Sequence, residues 1–148
     1  MAELGGVMTG GVHVLPLRVY FEDTDAAGIV YYANFLKFTE RARTDMLRLA
    51  GITQRELLAT EGLALAVRRC EVDYLAPARL DDELEVHTRV LKVGPATINA
   101  EQVVKRDGAD LVRSLVRLAC INRDGRPKRL PTAVRTALEA LSRMELGA

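Results

Sequence analysis

Asp25 is the residue of this chain whose surroundings most suggest chemistry. It closes the acidic run Glu22-Asp23-Thr24-Asp25, and Ala26-Ala27-Gly28 then lets the backbone turn closely before Ile29-Val30-Tyr31-Tyr32 leads into a helical pattern. The first N–H groups of a helix have no partner within it, and the macrodipole places partial positive charge there. Such an end can hold a carbonyl oxygen as negative charge grows on it. A carboxylate nearby can attack the carbonyl carbon or take a proton from water. No Ser-His or Cys-His pairing stands at recognisable positions, so the carbonyl must be an activated one, and a thioester fits better than an amide. Taken alone, Asp23, Thr24 and Asp25 also fit a simple cap on a turn and the following helix.

The elements that would position this segment can be read from periodicity. Residues 14–22 read as a first strand, β-branched and aromatic, running into the acidic turn. Phe35, Phe38, Ala42, Met46 and Leu49 then recur at three- and four-residue steps, with Lys37, Glu40, Arg41, Arg43 and Arg48 mostly on other faces, and Gly51 is placed to stop that helix. Residues 53–60 suggest a short second helix with Thr53 as N-cap and Glu56 as its capping-box partner. Beyond it the pattern alternates: Cys70, Val72 and Tyr74 against Arg69, Glu71 and Asp73, then Leu84, Val86 and Val90 on one face. Gly94-Pro95, Asp107-Gly108 and Asp124-Gly125 mark turns, residues 111–121 form a long strand, and Pro131 opens a final helix through Ala133, Val134, Leu138 and Leu141. One long helix with a strongly apolar face needs a sheet to cover it. The expectation is therefore an α+β domain with five antiparallel strands wrapped around that helix.

Size and charge narrow the function classes. The 148 residues suffice for one domain with a real core, expected over residues 13–148 behind a flexible Gly-rich leader at 1–12. A formal net charge of +1 gives no support for a nucleic-acid binder. Cys70 and Cys120 read as two small buried hydrophobes, and His13 and His87 lack any metal-ligand spacing, so no metal or other cofactor is expected. No run approaches the length of a membrane span and no basic leader precedes an apolar core, so a cytoplasmic location is expected.

Three stretches carry a more specific resemblance. Residues 22–35, from Glu22 to Phe35, resemble the signature of the hydroxybenzoyl-CoA thioesterase family of hotdog proteins. Phe38-Thr39-Glu40-Arg41-Ala42-Arg43-Thr44-Asp45-Met46-Leu47-Arg48 and Tyr74-Leu75-Ala76-Pro77-Ala78-Arg79-Leu80-Asp81-Asp82 resemble its YbgC branch in particular, with the likeness spanning about residues 14–131. The resemblance implies the hotdog fold and hydrolysis of an acyl-CoA thioester. It also implies a homodimer joined edge to edge, often paired again into a homotetramer, with active sites at the dimer interface. On that resemblance Asp25 is the catalytic carboxylate, as nucleophile or general base, and the backbone N–H of Tyr32 polarises the thioester carbonyl. Some members of the branch have His at the Tyr32 position and Tyr at the Phe35 position, so Tyr32 is assigned a backbone role.

Gly28 and Val30 belong to the turn that aims the helix end, and Asn34 has either Asp25, a bound water or a local backbone group as its partner. Lys92 is the CoA-phosphate contact expected first, with Arg68, Arg69 and Arg79 as further basic candidates. Glu40, with Lys37 and Arg43 nearby, reads as part of a solvated or interface ion pair rather than as a second catalytic carboxylate. The branch's association with the Tol-Pal envelope system also leaves a non-catalytic alternative, a binding partner of acyl-CoA or acyl-carrier protein in envelope or phospholipid machinery. A hotdog dehydratase is a third reading, disfavoured because neither His lies in the acidic segment.

Overall fold

The computed structural model describes residues 4–144, and the ends of the expected leader and final helix, residues 1–3 and 145–148, lie outside the described residues. In chain order the strands are β1 (Val7–Thr9), β2 (Val12–Arg18), β3 (Leu63–Tyr74), β4 (Glu83–Val93), β5 (Thr97–Arg106) and β6 (Ala109–Asn122). The helices are α1 (Asn34–Leu49), the single turn α2 (Gln54–Glu56) and α3 (Thr132–Arg143). All pairings are antiparallel, in the spatial order β1-β2-β4-β5-β6-β3. This is the hotdog arrangement, a sheet curled around one long helix, with six strands where five were expected. The sixth comes from the leader, because Gly10 and Gly11 both take positive φ, +55° and +81°, and fold Val7–Thr9 back onto β2 as a tight hairpin. The first long strand also stops earlier than its pattern suggested, at Arg18, and Phe21–Asp23 forms a single tight helical turn. No helix among the described residues is long and apolar enough to cross a membrane.

The core lies between α1 and the sheet, in two apolar regions. One holds Phe35, Phe38 and Ala42 of α1 against Leu84, Val86, Val104 and Val112. The other holds Met46 and Leu47 against Val90, Ile98, Ala100, Val116 and Leu118, closed from below by Leu138 of α3. A polar layer separates them. Gln102, fully buried on β5, donates through Nε2 to the Thr39 carbonyl of α1 at 2.8 Å and to Thr88 Oγ1 of β4 at 2.9 Å. Its Oε1 accepts from Arg43 Nη1 at 2.9 Å, and its backbone carbonyl accepts from Ser114 Oγ at 3.1 Å. Because a buried amide needs its partners, these bonds fix the height of α1 over the sheet.

Thr53 caps α2 as expected, its Oγ1 accepting from the Glu56 N–H at 3.3 Å, and the chain continues as a wider turn over Leu57–Glu61. β3 is the long edge strand, and a bulge between Val67 and Arg69 re-aims its side chains. That edge position corrects one expectation. Cys120 is buried, but Cys70, on a strand that pairs on one side only among the described residues, is exposed.

Replacing Gln102 with Met keeps the side chain's length but leaves the Arg43 guanidinium and the Thr88 hydroxyl without their partner. A loss of about 2 kcal/mol in stability is expected, read by urea unfolding at matched protein concentration. An unchanged midpoint would show that the polar layer does not hold the helix.

Candidate active site

The segment from Tyr20 to Asn34 is a hairpin folded against the start of α1. Asp25 N–H donates to the Ile29 carbonyl and Gly28 N–H to the Asp25 carbonyl, both at 2.9 Å, with Thr24 bridged to Val30. Gly28 takes φ +80° to close this turn, a conformation costly for any residue with a Cβ. Three bonds then tie the hairpin to its surroundings. Tyr31 N–H and Asn34 Nδ2 both donate to the Asp23 carbonyl, at 3.0 and 2.9 Å, and Val30 N–H donates to the Ala78 carbonyl at 2.8 Å.

The two aspartates have different work. Asp23 Oδ2 accepts from the Tyr20 N–H at 2.8 Å and so caps the tight turn at Phe21–Asp23. Asp25 is exposed, and its Oδ1 accepts from the Ala27 N–H at 2.9 Å. No partner for Asp25 Oδ2 is present among the described residues. The carboxylate is therefore oriented through one oxygen and available through the other.

The helix start is arranged to leave donors unused. The N–H groups of Asn34, Phe35 and Leu36 donate to the carbonyls of Tyr31, Tyr32 and Ala33 at 2.8, 3.3 and 3.1 Å. Among the described residues the N–H groups of Tyr32 and Ala33 meet no acceptor. They sit at the positive end of a sixteen-residue helix, which is the arrangement that stabilises an oxyanion.

A strut from the sheet supports the hairpin. Arg106, at the end of β5, donates through Nη1 to Asp82 Oδ2 at 2.7 Å and to the Pro77 carbonyl at 3.2 Å, while Asp82 Oδ2 also accepts the Arg79 N–H at 2.8 Å. Residues 77–82 held in this way carry Ala78 and Arg79, the two positions on which Val30 and Ile29 rest. Partial burial pushes the Asp82 carboxyl up, but the Arg79 N–H and the Arg106 guanidinium outweigh it and hold the group below its ordinary value.

An aromatic row leads away from the helix start. The Tyr31 and Tyr32 rings lie 5.0 Å apart, Tyr32 meets Tyr74 of β3 edge-on at 5.7 Å, and Phe35 lies 6.0 Å from Tyr74. Burial first, then Cys70 and Tyr32, push the Tyr74 hydroxyl's pKa up. Burial lowers that of the Arg43 guanidinium, and nearby Glu40 and Cys70 oppose this.

Several expected site residues take other positions. Val30 is buried in the core, and Asn34 commits its amide donor to the Asp23 carbonyl, so both hold the hairpin in place. Lys92 is exposed at the far end of β4, roughly 30 Å along the strand from the Glu83 end that adjoins residues 77–82. The protomer does not bring it to the hairpin. Arg69 pairs with Glu71 at 2.6 Å on the outer sheet face, whereas Arg79 is exposed and directly bridged to Ile29. Glu40 is exposed and forms no ion pair within 4.0 Å among the described residues. Tyr74 and Arg43 were not singled out for the site, because only the pairing of β3 beneath α1 brings them to it.

Comparisons with known proteins bear on the fold and the family. A sequence model of the thioesterase-like superfamily matches residues 19–138, reaching into α3 beyond the limit that the motifs set. The acyl-CoA thioesterase YbgC of Haemophilus influenzae is 43% identical over 127 residues, covering 85% of this chain and 93% of the relative. The acyl-CoA thioester hydrolase YbgC of Escherichia coli O6:H1 is 40% identical over 121 residues, covering 80% and 90%. A probable thioesterase of known crystal structure from Bartonella henselae superposes with a TM-score of 0.78 at 37% identity, covering 81% of this chain and 99% of that one.

The depressed Asp82 value has a definite sign in stability. Its folded pKa lies below the unfolded value of about 3.9, so its contribution is complete above that value and is lost as pH falls through the folded one. Asp82→Asn should melt at lower temperature than the parent at neutral pH, with the gap closing on acidification. Melting curves over a pH series check this, and a gap independent of pH would contradict it.

Proposed function

The chain belongs to the thioesterase-like superfamily, and within it to the YbgC acyl-CoA thioesterases, and from that premise we propose that it hydrolyses acyl-CoA to a free acid and CoA at Asp25 and the start of α1. The observation that carries this reading is the division of labour in the hairpin. Asp25 keeps a free carboxylate oxygen while Tyr32 and Ala33 keep free N–H groups.

The thioester carbonyl oxygen sits against the Tyr32 N–H, where the helix end and the amide take up the charge that develops during attack. A backbone donor of this kind is worth about 3 kcal/mol of barrier. Asp25 Oδ2 has two ways to begin. As nucleophile it bonds to the carbonyl carbon, the C–S bond breaks, CoA leaves as thiolate, and water then cleaves the acyl-aspartyl anhydride. As general base it takes a proton from water, whose oxygen adds to the carbon before the same C–S bond breaks. Both routes release the same products, and both use the same oxyanion donor.

The working unit in this proposal is a homodimer joined along β3. A twelve-residue edge strand with exposed Val67 and Tyr74, followed by exposed Leu75, leaves a row of unpaired backbone groups that a second copy would satisfy. The hairpin and Tyr32 lie beside this edge through the Tyr32–Tyr74 contact, so the partner would border the site. CoA phosphates meet Arg79 in this arrangement, since it is the basic candidate that adjoins the hairpin.

Asp25→Asn should lower kcat on acyl-CoA by about 10² to 10⁴, while Tyr32→Phe, which keeps the backbone N–H, should cost far less. A thiol-release assay of the purified variants reads both. Full turnover by Asp25→Asn would refute the assignment. Tight acyl-carrier-protein binding with no turnover by the parent would instead favour the non-catalytic alternative.

A further inference from the structure

The polar layer of the core ends, on the β3 side, in a half-buried cation with a neutral partner. Arg43 donates to Gln102 Oε1, and among the described residues no carboxylate lies within 4.0 Å of its guanidinium. A partly desolvated guanidinium is stabilised by an oxygen acceptor in its fork, and it has four further N–H donors to offer. Its place on α1 says where such an oxygen would come from. Tyr32, Phe35, Thr39 and Arg43 follow at steps of three, four and four and so lie along one side of the helix.

Across from them Tyr74 and Cys70 share one face of β3. Tyr74 packs against Tyr32 and Phe35, and Cys70 lies four residues earlier on the same face of β3, opposite the buried Val116. Tyr74 and Cys70 are exposed in the protomer, and Phe35 and Thr39 form the buried floor. These side chains form a strip along α1 and β3 that runs from the oxyanion donor toward Arg43. Eleven helical residues make it at most about 16 Å long, and less in use because a helical side chain leans toward the N-terminus.

We propose that Arg43 is the specificity-determining residue at the far end of this strip, selecting acyl groups whose distal end carries a hydrogen-bond-accepting oxygen, foremost a carboxylate. The inference rests on the thioesterase reading: with the carbonyl at the Tyr32 N–H and the CoA phosphates at Arg79, the acyl chain is proposed to run the other way, along this strip toward Arg43. A plain alkyl end reaching Arg43 strips water from a cation and returns nothing, whereas a carboxylate forms charge-assisted, bidentate bonds. Sites built around such polar groups reject analogues that lack the matching oxygen far more strongly than apolar pockets reject a change of one methylene.

The test compares adipoyl-CoA with hexanoyl-CoA and suberoyl-CoA with octanoyl-CoA, by kcat/KM and by the affinity of the non-hydrolysable thioether analogue of each. The parent protein should favour the dicarboxylic partner by about tenfold or more in at least one pair. Arg43→Met should bring that ratio to about one, and Arg43→Lys, which keeps the charge but loses the fork, should lie between them. A parent ratio near one in both pairs, a ratio unchanged by Arg43→Met, or no binding of any analogue would overturn the inference. An affinity ratio that collapses in Arg43→Met, in a protein that hydrolyses none of the four thioesters, would uphold the Arg43 assignment and refute the hydrolase reading.

Discussion

The carbonyl of Asp23 is the point on which the site depends. It accepts two hydrogen bonds, from the Tyr31 N–H and from Asn34 Nδ2, one just before the start of α1 and one at its first residue. They tie the acidic end of the hairpin directly to the helix start, so that carboxylate and amide are set on one frame. Each bond is worth only about 1 kcal/mol net, but the pair acts on geometry rather than on stability. A second anchor comes from the sheet through Arg106, Asp82, Ala78 and Val30. The acidic loop is thus held by the helix start on one side and the sheet on the other, which fixes Asp25 relative to the start of α1.

The same economy runs through the core. An all-apolar interface between α1 and the sheet would leave the helix free to slide by a turn with little penalty. The Thr88–Gln102–Thr39 bonds specify one height, and that height sets where Tyr32 stands relative to Tyr74. The cost is a partly desolvated arginine at the open end of the layer, with burial acting against its charge. The layer ends at Arg43, which bonds Gln102 and is otherwise only half buried.

Much of this was legible in the chain because it is local. The helix over residues 34–49, the Thr53 cap, the meander and the special status of the segment around Asp25 all follow from spacing and turn chemistry. The choice between Asp23 and Asp25 rests on the motif's register: each carboxylate accepts one backbone N–H through one oxygen, and in the structure they differ in exposure, Asp25 being the more exposed. What was not legible depends on contacts distant in sequence. Cys70 alternates like a buried residue, but β3 lies at the edge, so it is exposed. Lys92 reads as a basic residue near the site, and within the protomer nine residues of extended strand separate it from the Glu83 end of β4. The leader looked too rich in glycine to order, but two of those glycines make the hairpin that forms β1. Arg43 looked like one more helical cation until Gln102 and β3 gave it surroundings.

The central claim is that one thioester carbonyl is held between the free Asp25 oxygen and the free Tyr32 N–H. A crystal structure of the Asp25→Asn variant with an acyl-CoA bound tests it most directly. The thioester oxygen should lie within hydrogen-bond distance of the Tyr32 N–H, with the Asn side chain at position 25 facing the carbonyl carbon and the acyl group lying between α1 and β3. A thioester bound away from the hairpin, or with its carbonyl oxygen turned from the helix end, would contradict it.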